Sequence, residues 1–274
     1  MATTEHVKGQ AFRALHQRSS AFLIPNPWDL GTARLLAALG FEALATTSAG
    51  YALSIGKLDG AVGREAMMAH VAAIAGATEL PVSADLENGF GDAPEYAAET
   101  IRLAAGAGAA GGSIEDATGR PEDPLYSIDF ASERLRAAAE VVKALPFPFT
   151  LTARAENYLT GRPDLGDTIQ RLQAYQEAGA DVLYAPGLTS KEEIADVLRS
   201  VDRPVNVLAG LKGFSLAHAE LSQMGVKRIS VGGSLARTAL GAFLHASREM
   251  KEHGTFAFAS EAVSYRELSA MLKC

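Results

Sequence analysis

One phrase recurs along this chain and limits what it can become. A helical stretch ends on a glycine, and a short apolar segment of strand-forming residues begins at once. The phrase reads Leu39-Gly40-Phe41-Glu42-Ala43-Leu44, then Gly179-Ala180-Asp181-Val182-Leu183, then Met224-Gly225-Val226-Lys227-Arg228-Ile229, with a looser copy over 106–114. Glycine suits the position just past a helix because it accepts left-handed backbone without a Cβ clash. Each copy therefore marks a junction from helix to strand.

Apolar periodicity fills in the rest. Helical spacing predicts helices over 30–39, 64–77, 94–105, 132–145, 164–178, 190–200 and 216–224. Short apolar runs between them predict strands at 22–24, 43–46, 82–85, 112–114, 149–152, 182–184, 205–208 and 229–231. Strands alternating with helices imply parallel βαβ units, and eight of them close into a barrel. A doubly wound open sheet is the alternative, but no break in topology divides the near-equal units. The expected fold class is α/β, a (β/α)8 TIM-type barrel over about 20–235 within one domain spanning 1–274. Further helical stretches at 234–250 and 260–273 exceed what a barrel needs and are expected to pack on a neighbouring subunit.

Composition narrows the partners. Hydrophobic residues make up 48% of the 274, enough for a sizeable core. The formal net charge is −7 with no basic block, which argues against nucleic acid or an anionic membrane as a partner. One arginine in a cleft still binds a carboxylate locally. The single cysteine, Cys274, excludes an intrachain disulfide and a cysteine-based metal cluster. The opening MATTEHVKGQAFRALHQ has no apolar core of the signal-peptide kind, and no run of about 18 apolar residues predicts a membrane span. A soluble cytoplasmic protein is expected.

In a barrel of this kind the chemistry sits at the carboxyl ends of the strands. The first strand is followed by Pro25-Asn26-Pro27-Trp28-Asp29, and the second by Thr47-Ser48-Ala49-Gly50-Tyr51 and later Asp59. The third ends in Asp85-Leu86-Glu87-Asn88-Gly89, the fourth in Glu115-Asp116, and the fifth in Arg154-Ala155-Glu156-Asn157. The sixth leads to Ala185-Pro186-Gly187, the seventh offers Asn206 and then Lys212, and the eighth Gly232-Gly233-Ser234. Acids thus gather on adjacent strands with an arginine among them. Such oxygen-rich sites suit magnesium, which takes about six oxygen ligands and keeps several waters. Asp85 is read as the cation ligand, with Glu87, two residues on and on the same face of a continuing strand, holding its waters.

Plainer readings stand beside these. Each acid alone reads first as a loop cap, and only the set carries the metal. Arg154 alternatively forms a structural ion pair with Glu87 or Glu115. Gly232-Gly233-Ser234 is a phosphate cradle or, preferably, a tight turn capping a helix. Asp29 reads as the N-cap of the helix from 30. His70, His218, His245 and His253 read as surface or packing residues rather than ligands.

Four short motifs, in order, resemble the isocitrate lyase and phosphoenolpyruvate mutase superfamily. They are Ser48-Ala49-Gly50, Asp85-Leu86-Glu87-Asn88-Gly89-Phe90-Gly91, Ile114-Glu115-Asp116 and Ala153-Arg154-Ala155-Glu156. The likeness runs over roughly 10–250. It implies an α/β barrel with a C-terminal helix exchanged between subunits, assembled as a dimer of dimers, a homotetramer. It implies magnesium, or manganese in its place, on Asp85, with Asp59, Glu87 and Glu115 holding its waters. The family's substrates are 2-oxo acids or compounds that become them. Arg154 and the turn of Ser48, Ala49 and Gly50 would bind the substrate carboxylate, joined by Asn206. Arg154, Glu115 and Tyr51 would carry catalysis.

The chemistry is coherent. Breaking a bond next to a carbonyl leaves an enolate, which a metal on the 2-oxo oxygen and preorganised donors stabilise. Arginine suits the carboxylate because its planar fork matches two oxygens.

Departures from the family narrow the reaction. The lyases carry a Lys-Lys/Arg-Cys-Gly-His loop whose cysteine is the acid; here Ala117-Thr118-Gly119-Arg120-Pro121-Glu122-Asp123-Pro124-Leu125-Tyr126 has no cysteine, histidine or lysine. The lysine and asparagine of the mutase and phosphonopyruvate hydrolase loops are missing too. Glu87 stands where aspartate is common. The expected function is a magnesium-dependent lyase for a small 2-oxo acid, or a 2-oxo or 2-hydroxy di- or tricarboxylate, by carbon–carbon cleavage or decarboxylation, like oxaloacetate decarboxylase. Tyr51, Tyr158 or a metal-bound water would supply the proton. The alternatives are phosphorus–carbon chemistry, a Schiff-base aldolase on Lys212, and a non-catalytic 2-oxo acid binder.

Overall fold

The computed structural model describes residues 3–273; Met1, Ala2 and the lone Cys274 lie outside the described residues. In chain order the elements are α1 (Thr4–His16), β1 (Phe22–Ile24), α2 (Leu30–Ala38), β2 (Leu44–Ala45), α3 (Ser48–Ser54), α4 (Arg64–Gly76), β3 (Val82–Asp85), α5 (Pro94–Gly106), β4 (Gly111–Glu115) and α6 (Ile128–Ala144). There follow β5 (Thr150–Arg154), α7 (Leu165–Glu177), β6 (Val182–Tyr184), α8 (Lys191–Ser200), β7 (Val205–Leu208), α9 (His218–Met224), β8 (Arg228–Ser230), α10 (Ser234–His253), a 3₁₀ turn (Ala257–Glu261) and α11 (Tyr265–Met271).

The strands form one eight-stranded sheet in the order β1-β8-β7-β6-β5-β4-β3-β2, every pair parallel. It is a nearly closed (β/α)8 barrel. Its two ends meet at a seam where the Ala45 N–H donates to the Pro25 carbonyl at 3.1 Å. Asn26 finishes that seam. Its Nδ2 donates to the Thr46 carbonyl at 3.0 Å, and its Oδ1 accepts from the N–H groups of Val231 and Gly232 at 3.0 and 2.9 Å. A buried amide that satisfies three backbone groups removes the exposed edge an open sheet would leave.

The main apolar core lies between sheet and helices, where outward strand residues such as Leu151, Ala153 and Leu183 meet Ile101, Leu135 and Leu172. The barrel interior is different. Branched aliphatics usually fill it, yet here Ser83, Ser113, Asn206, Arg228 and Ser230 line it. Arg228 donates from Nε to Asn206 Oδ1 at 2.9 Å and from Nη1 to Thr152 Oγ1 at 3.1 Å.

Helix α1, which periodicity did not anticipate, plugs the amino end of the barrel. Its Phe12 and Leu15 pack on Phe22, Ile24, Ala43 and Ala110. Gly9 lets it approach, because a Cβ there would stand 2.0 Å from the Pro148 carbonyl oxygen. The sequence signal was Thr3, whose hydroxyl accepts from the His6 N–H. Other boundaries moved for similar reasons of capping. Ser127 starts α6 ahead of 132, and Ser264 starts α11 afresh, splitting the stretch expected over 260–273. Asp29 caps α2 as anticipated, in a reciprocal box with Thr32. Among the described residues, no helix is long and apolar enough to cross a membrane.

Two histidines are held neutral in the packing. Burial, reinforced by the Arg228 charge, pushes His16 down to about 3, and burial takes His70 to about 4. Nε2 of each is buried without a partner. Both values lie below the ordinary value of about 6.5, so the unfolded chain takes up protons first as pH falls. Each histidine should remove up to about 1.4 kcal/mol of stability per pH unit between that value and its own folded one. Urea midpoints measured from pH 7 to 4.5 are expected to fall, and to fall less steeply in a His16→Leu, His70→Leu double variant.

Candidate active site

The carboxyl ends of β3, β4 and β5 deliver Asp85, Glu115 and Arg154. Register sets Glu115 directly beside Arg154, and Asp85 beside Ser113. Arg154 Nη1 lies 2.7 Å from Asp85 Oδ1 and 3.0 Å from Glu115 Oε2, while Nη2 and Nε each lie 2.9 Å from Glu156 Oε1. One guanidinium, its side chain 13% exposed, therefore serves three carboxylates. The sequence reading foresaw the pair with Glu115; Asp85 and Glu156 are the partners it missed, and Glu87 is not one. Asp85 Oδ2 also accepts from the Ser48 N–H at 2.9 Å, and the Asp85 N–H donates to Thr46 Oγ1 at 2.8 Å. The ends of β2 and β3 are thereby tied together.

Crowding of acids in a half-dry mouth raises their proton affinity. Burial, with Asp85 and Asp59 adding repulsion, pushes Glu87 up to about 8. Burial raises Glu115 well above the usual carboxylate range against the pull of Arg154, and raises Glu156 likewise. Asp59 is raised by burial, opposed by a hydrogen bond from Ser48. Burial works against the Arg154 charge, but Glu115, Glu156 and Asp85 hold it charged well above its ordinary value.

The cleft has two chambers that meet at Ser48, Asp59, Arg154 and Leu159. The inner one, about 250 Å³, is walled by Asp85, Tyr184, Asn206, Arg228, Ser230 and Gly232 among others. The outer one, about 790 Å³, is walled by Arg64, Glu87, Asn88, Phe90, Glu115 and the 117–119 segment. Ser48, Asp59, Asp85, Glu87, Glu115, Arg154 and Asn206 thus all face one continuous cleft.

Other expected site residues lie elsewhere. Ser48, Ala49 and Gly50 form the first turn of a helix capped by Thr47, not a free turn. Of these only Ser48 lines the cleft; Gly50 is packed so closely that a Cβ would meet Thr47, Trp28 and Ala236. Tyr51 does not line either chamber. It sits one helical turn on, with its ring stacked on His70 at 3.9 Å between centroids. Tyr158 donates its hydroxyl to Glu193 at 2.8 Å, outside the cleft lining. Lys212 is exposed, and among the described residues no lysine lines either chamber. Gly232 and Gly233 wall the inner chamber, and Gly233 caps α10 without a side-chain bond.

Two supports were invisible in the motifs. The loop after β3 holds Glu87 and Phe90 at φ 49° and 60°, left-handed backbone that non-glycine residues enter at a cost. Arg134 of α6 holds the loop in place. It donates to the carbonyl oxygens of Asp92 (2.8 Å), Gly91 (2.8 Å) and Glu115 (3.4 Å), and also to that of Asn88. The second support is Asp116. Its Oδ1 accepts from the Glu156 N–H at 2.8 Å, and its Oδ2 accepts from Tyr175 at 2.5 Å and Arg171 at 3.0 Å. No spacing rule points from α6 or α7 to these contacts.

The segment that differs from the family is a pinned hairpin. Ala117 bridges Leu125, Arg120 pairs with Asp92 at 2.9 Å, and Tyr126 donates to Asp92 at 2.5 Å. To the cleft it offers only Ala117, Thr118 and Gly119.

Among the described residues, no three histidine, cysteine or acidic side chains stand close enough to enclose an ion by themselves. The donors are nonetheless those a hard cation takes, and Glu87 Oε1 is buried with no hydrogen-bond partner. Buried oxygens of this kind want a cation or its waters. A magnesium ion held by Asp85 and reached by the other acids through water fits that donor set.

A family described as phosphoenolpyruvate phosphomutase matches residues 12–251. A solved structure of a putative lyase/mutase from Burkholderia cenocepacia is 61% identical, with a TM-score of 0.97, covering 100% of this chain and 98% of that one. The 2-methylisocitrate lyase of Escherichia coli is 29% identical over 73% of this chain and 69% of its own length. Oxaloacetate acetylhydrolase, solved with its product oxalate, is 25% identical with a TM-score of 0.85, covering 97% of this chain and 94% of that one.

Arg134→Met should leave several buried carbonyls unmet and cost about 2–5 kcal/mol, read as a lower urea midpoint at unchanged slope. Arg134→Lys should not restore it, because one ammonium cannot span the set that the planar fork reaches.

Proposed function

The chain belongs to the phosphoenolpyruvate phosphomutase family, an enzyme family whose relatives here are named as lyases, a mutase and a hydrolase, and from that premise we propose a magnesium-dependent lyase for a small 2-oxo acid. The reaction is carbon–carbon cleavage or decarboxylation, as in an oxaloacetate decarboxylase. The observation that carries this reading is the posture of Arg154. Its Nε and Nη2 are locked on Glu156, whose backbone is locked on Asp116, while Nη1 points between Asp85 and Glu115 into the cleft.

Asp85 would hold the cation, with Asp59, Glu87 and Glu115 on its waters; bound there, it would supply Lewis-acid polarisation of a 2-oxo oxygen. The chain's own residues do the rest. With Asp85 given over to a cation, the Nη1 hydrogen that Asp85 holds would be released to the substrate carboxylate, while Glu156 keeps the guanidinium plane from turning. Ser48 and Asn206 line the same wall. When the bond beside the carbonyl breaks, its electron pair moves toward the 2-oxo oxygen, where positive charge is preorganised.

The pinned hairpin over 117–125 brings no acid or base into the cleft, which favours decarboxylation: carbon dioxide departs without a general acid in the bond-breaking step. The names of the relatives, a lyase of 2-methylisocitrate and an acetylhydrolase of oxaloacetate, support a carboxylic acid substrate.

The same proposal includes assembly with further copies of the chain. Helix α10 buries only Ala236, while Leu240, Phe243 and Leu244 form an exposed apolar stripe at helical spacing. A second copy covering that stripe, with helix exchange into a dimer of dimers, would bury it.

Proton NMR of oxaloacetate should show magnesium-dependent loss above the metal-only rate, abolished by EDTA and reduced at least about 100-fold in Asp85→Ala. Turnover that persists in EDTA and is trapped by borohydride would replace this mechanism with a Schiff base. In light scattering, Phe243→Asp should shift the protein to a smaller assembly than wild type; equal masses would remove α10 from the interface.

A further inference from the structure

We propose that Arg64 receives a second, distal carboxylate of the substrate, so that the enzyme selects 2-oxo diacids over 2-oxo monoacids. The inference rests on the 2-oxo acid reading of Arg154 and Asp85 and names the substrate class of that site.

Arg64 opens α4 and walls the outer chamber together with the hairpin residues Thr118 and Gly119. Its Nη1 is buried and has no hydrogen-bond partner. Its guanidinium carbon stands 5.6 Å from the Tyr96 ring centroid, a cation–π contact. That contact steadies the guanidinium but satisfies none of its N–H groups, and a charged donor left unmet in a buried place is costly. Among the described residues Arg64 forms no salt bridge, and the Glu99 carboxylate that feels its charge is already held by Arg102 at 2.8 and 2.5 Å.

The other arginines around this loop are engaged. Arg154 serves three carboxylates, Arg134 serves backbone carbonyls, and Arg120 serves Asp92. Arg64 alone among them lines the cleft while keeping a guanidinium nitrogen unmet. The setting also favours an anion over any other occupant. Gly63 caps α4 without a side-chain acceptor and lines the same chamber, so the positive end of a thirteen-residue helix adds to the guanidinium. A planar carboxylate matches the fork of the guanidinium bidentately. The volumes agree: the inner chamber of about 250 Å³ suits a small 2-oxo acid head, and the outer one of about 790 Å³ leaves room for a chain that carries a second charge.

The test compares pyruvate with oxaloacetate, 2-oxoglutarate and 2-oxoadipate, in magnesium, on wild type, Arg64→Met and Arg64→Lys. Affinity is measured by calorimetry, and kcat and KM wherever turnover occurs. Melting curves verify that each variant is folded. The expected result is a wild type that prefers at least one diacid to pyruvate, and an Arg64→Met variant in which that preference falls at least tenfold. The change should lie in KM rather than kcat, with partial recovery in Arg64→Lys. Equal weakening of pyruvate and diacids, or an unchanged ratio, would overturn the role of Arg64 while leaving the 2-oxo acid site standing. A wild type that binds none of the four acids would overturn both. If Arg64→Met does not fold, the Arg64→Lys ratio decides, because an ammonium lacks the bidentate fork and an unchanged preference would exclude it.

Discussion

Everything at the mouth of this barrel depends on how one positive charge is shared. Asp85, Glu115 and Glu156 crowd around Arg154 in a place largely shut off from water. Taking ions out of water costs several kcal/mol each unless they are paired, so acids in such a place either protonate or find a cation. Arg154 meets part of that demand, while burial still raises the proton affinity of Glu87, Glu115 and Asp59. The unpartnered oxygen of Glu87 is the geometric form of the same deficit. A site short of positive charge is what a divalent cation and a polarised carbonyl require.

The rigidity of the site comes from outside it. Two residues of the 86–92 loop sit in left-handed backbone, at a cost of about 1–3 kcal/mol each. The loop persists because Arg134 collects its carbonyls and because Gly91 admits the Tyr96 ring, which a Cβ would meet at 2.4 Å. On the other flank a chain of contacts runs from Tyr175 and Arg171 through Asp116 to Glu156 and so to Arg154. Helices on the outside of the barrel therefore fix the direction in which a guanidinium on the inside can act.

The barrel trades interior packing for a polar lumen. Asn206, Ser230, Thr152 and Arg228 satisfy one another where aliphatics would ordinarily stack. Burial lowers the proton affinity of Arg228 to about 10, yet it still remains charged at neutral pH. Stability comes instead from the layer between sheet and helices and from the α1 plug. The lumen is left free to hold a hydrophilic ligand.

How much of this was legible follows from the range of each interaction. Eight parallel strands, their order and the inward acids could be read in the sequence, because glycine after a helix and two-residue alternation are local signals. Asp85, Glu115 and Arg154 stand at the strand ends where counting put them, and Asn206 lines the same cleft from within β7. Glu156 was quoted in a motif, but its hold on Arg154 was not foreseen. Tyr51 belongs to the helix Ser48–Ser54, and its ring stacks on His70 instead of lining either chamber, a contact between distant segments that no local signal gives. Arg134, Asp116's partners and the orphaned edge of Arg64 were beyond reach, since each depends on which distant backbone or ring lies within about 3–6 Å. Local chemistry in the chain thus determined the fold and the identity of the acids. Only the closed tertiary structure decided which charges are neutralised and which remain unmet, because burial and pairing are properties of neighbours in space and not in sequence.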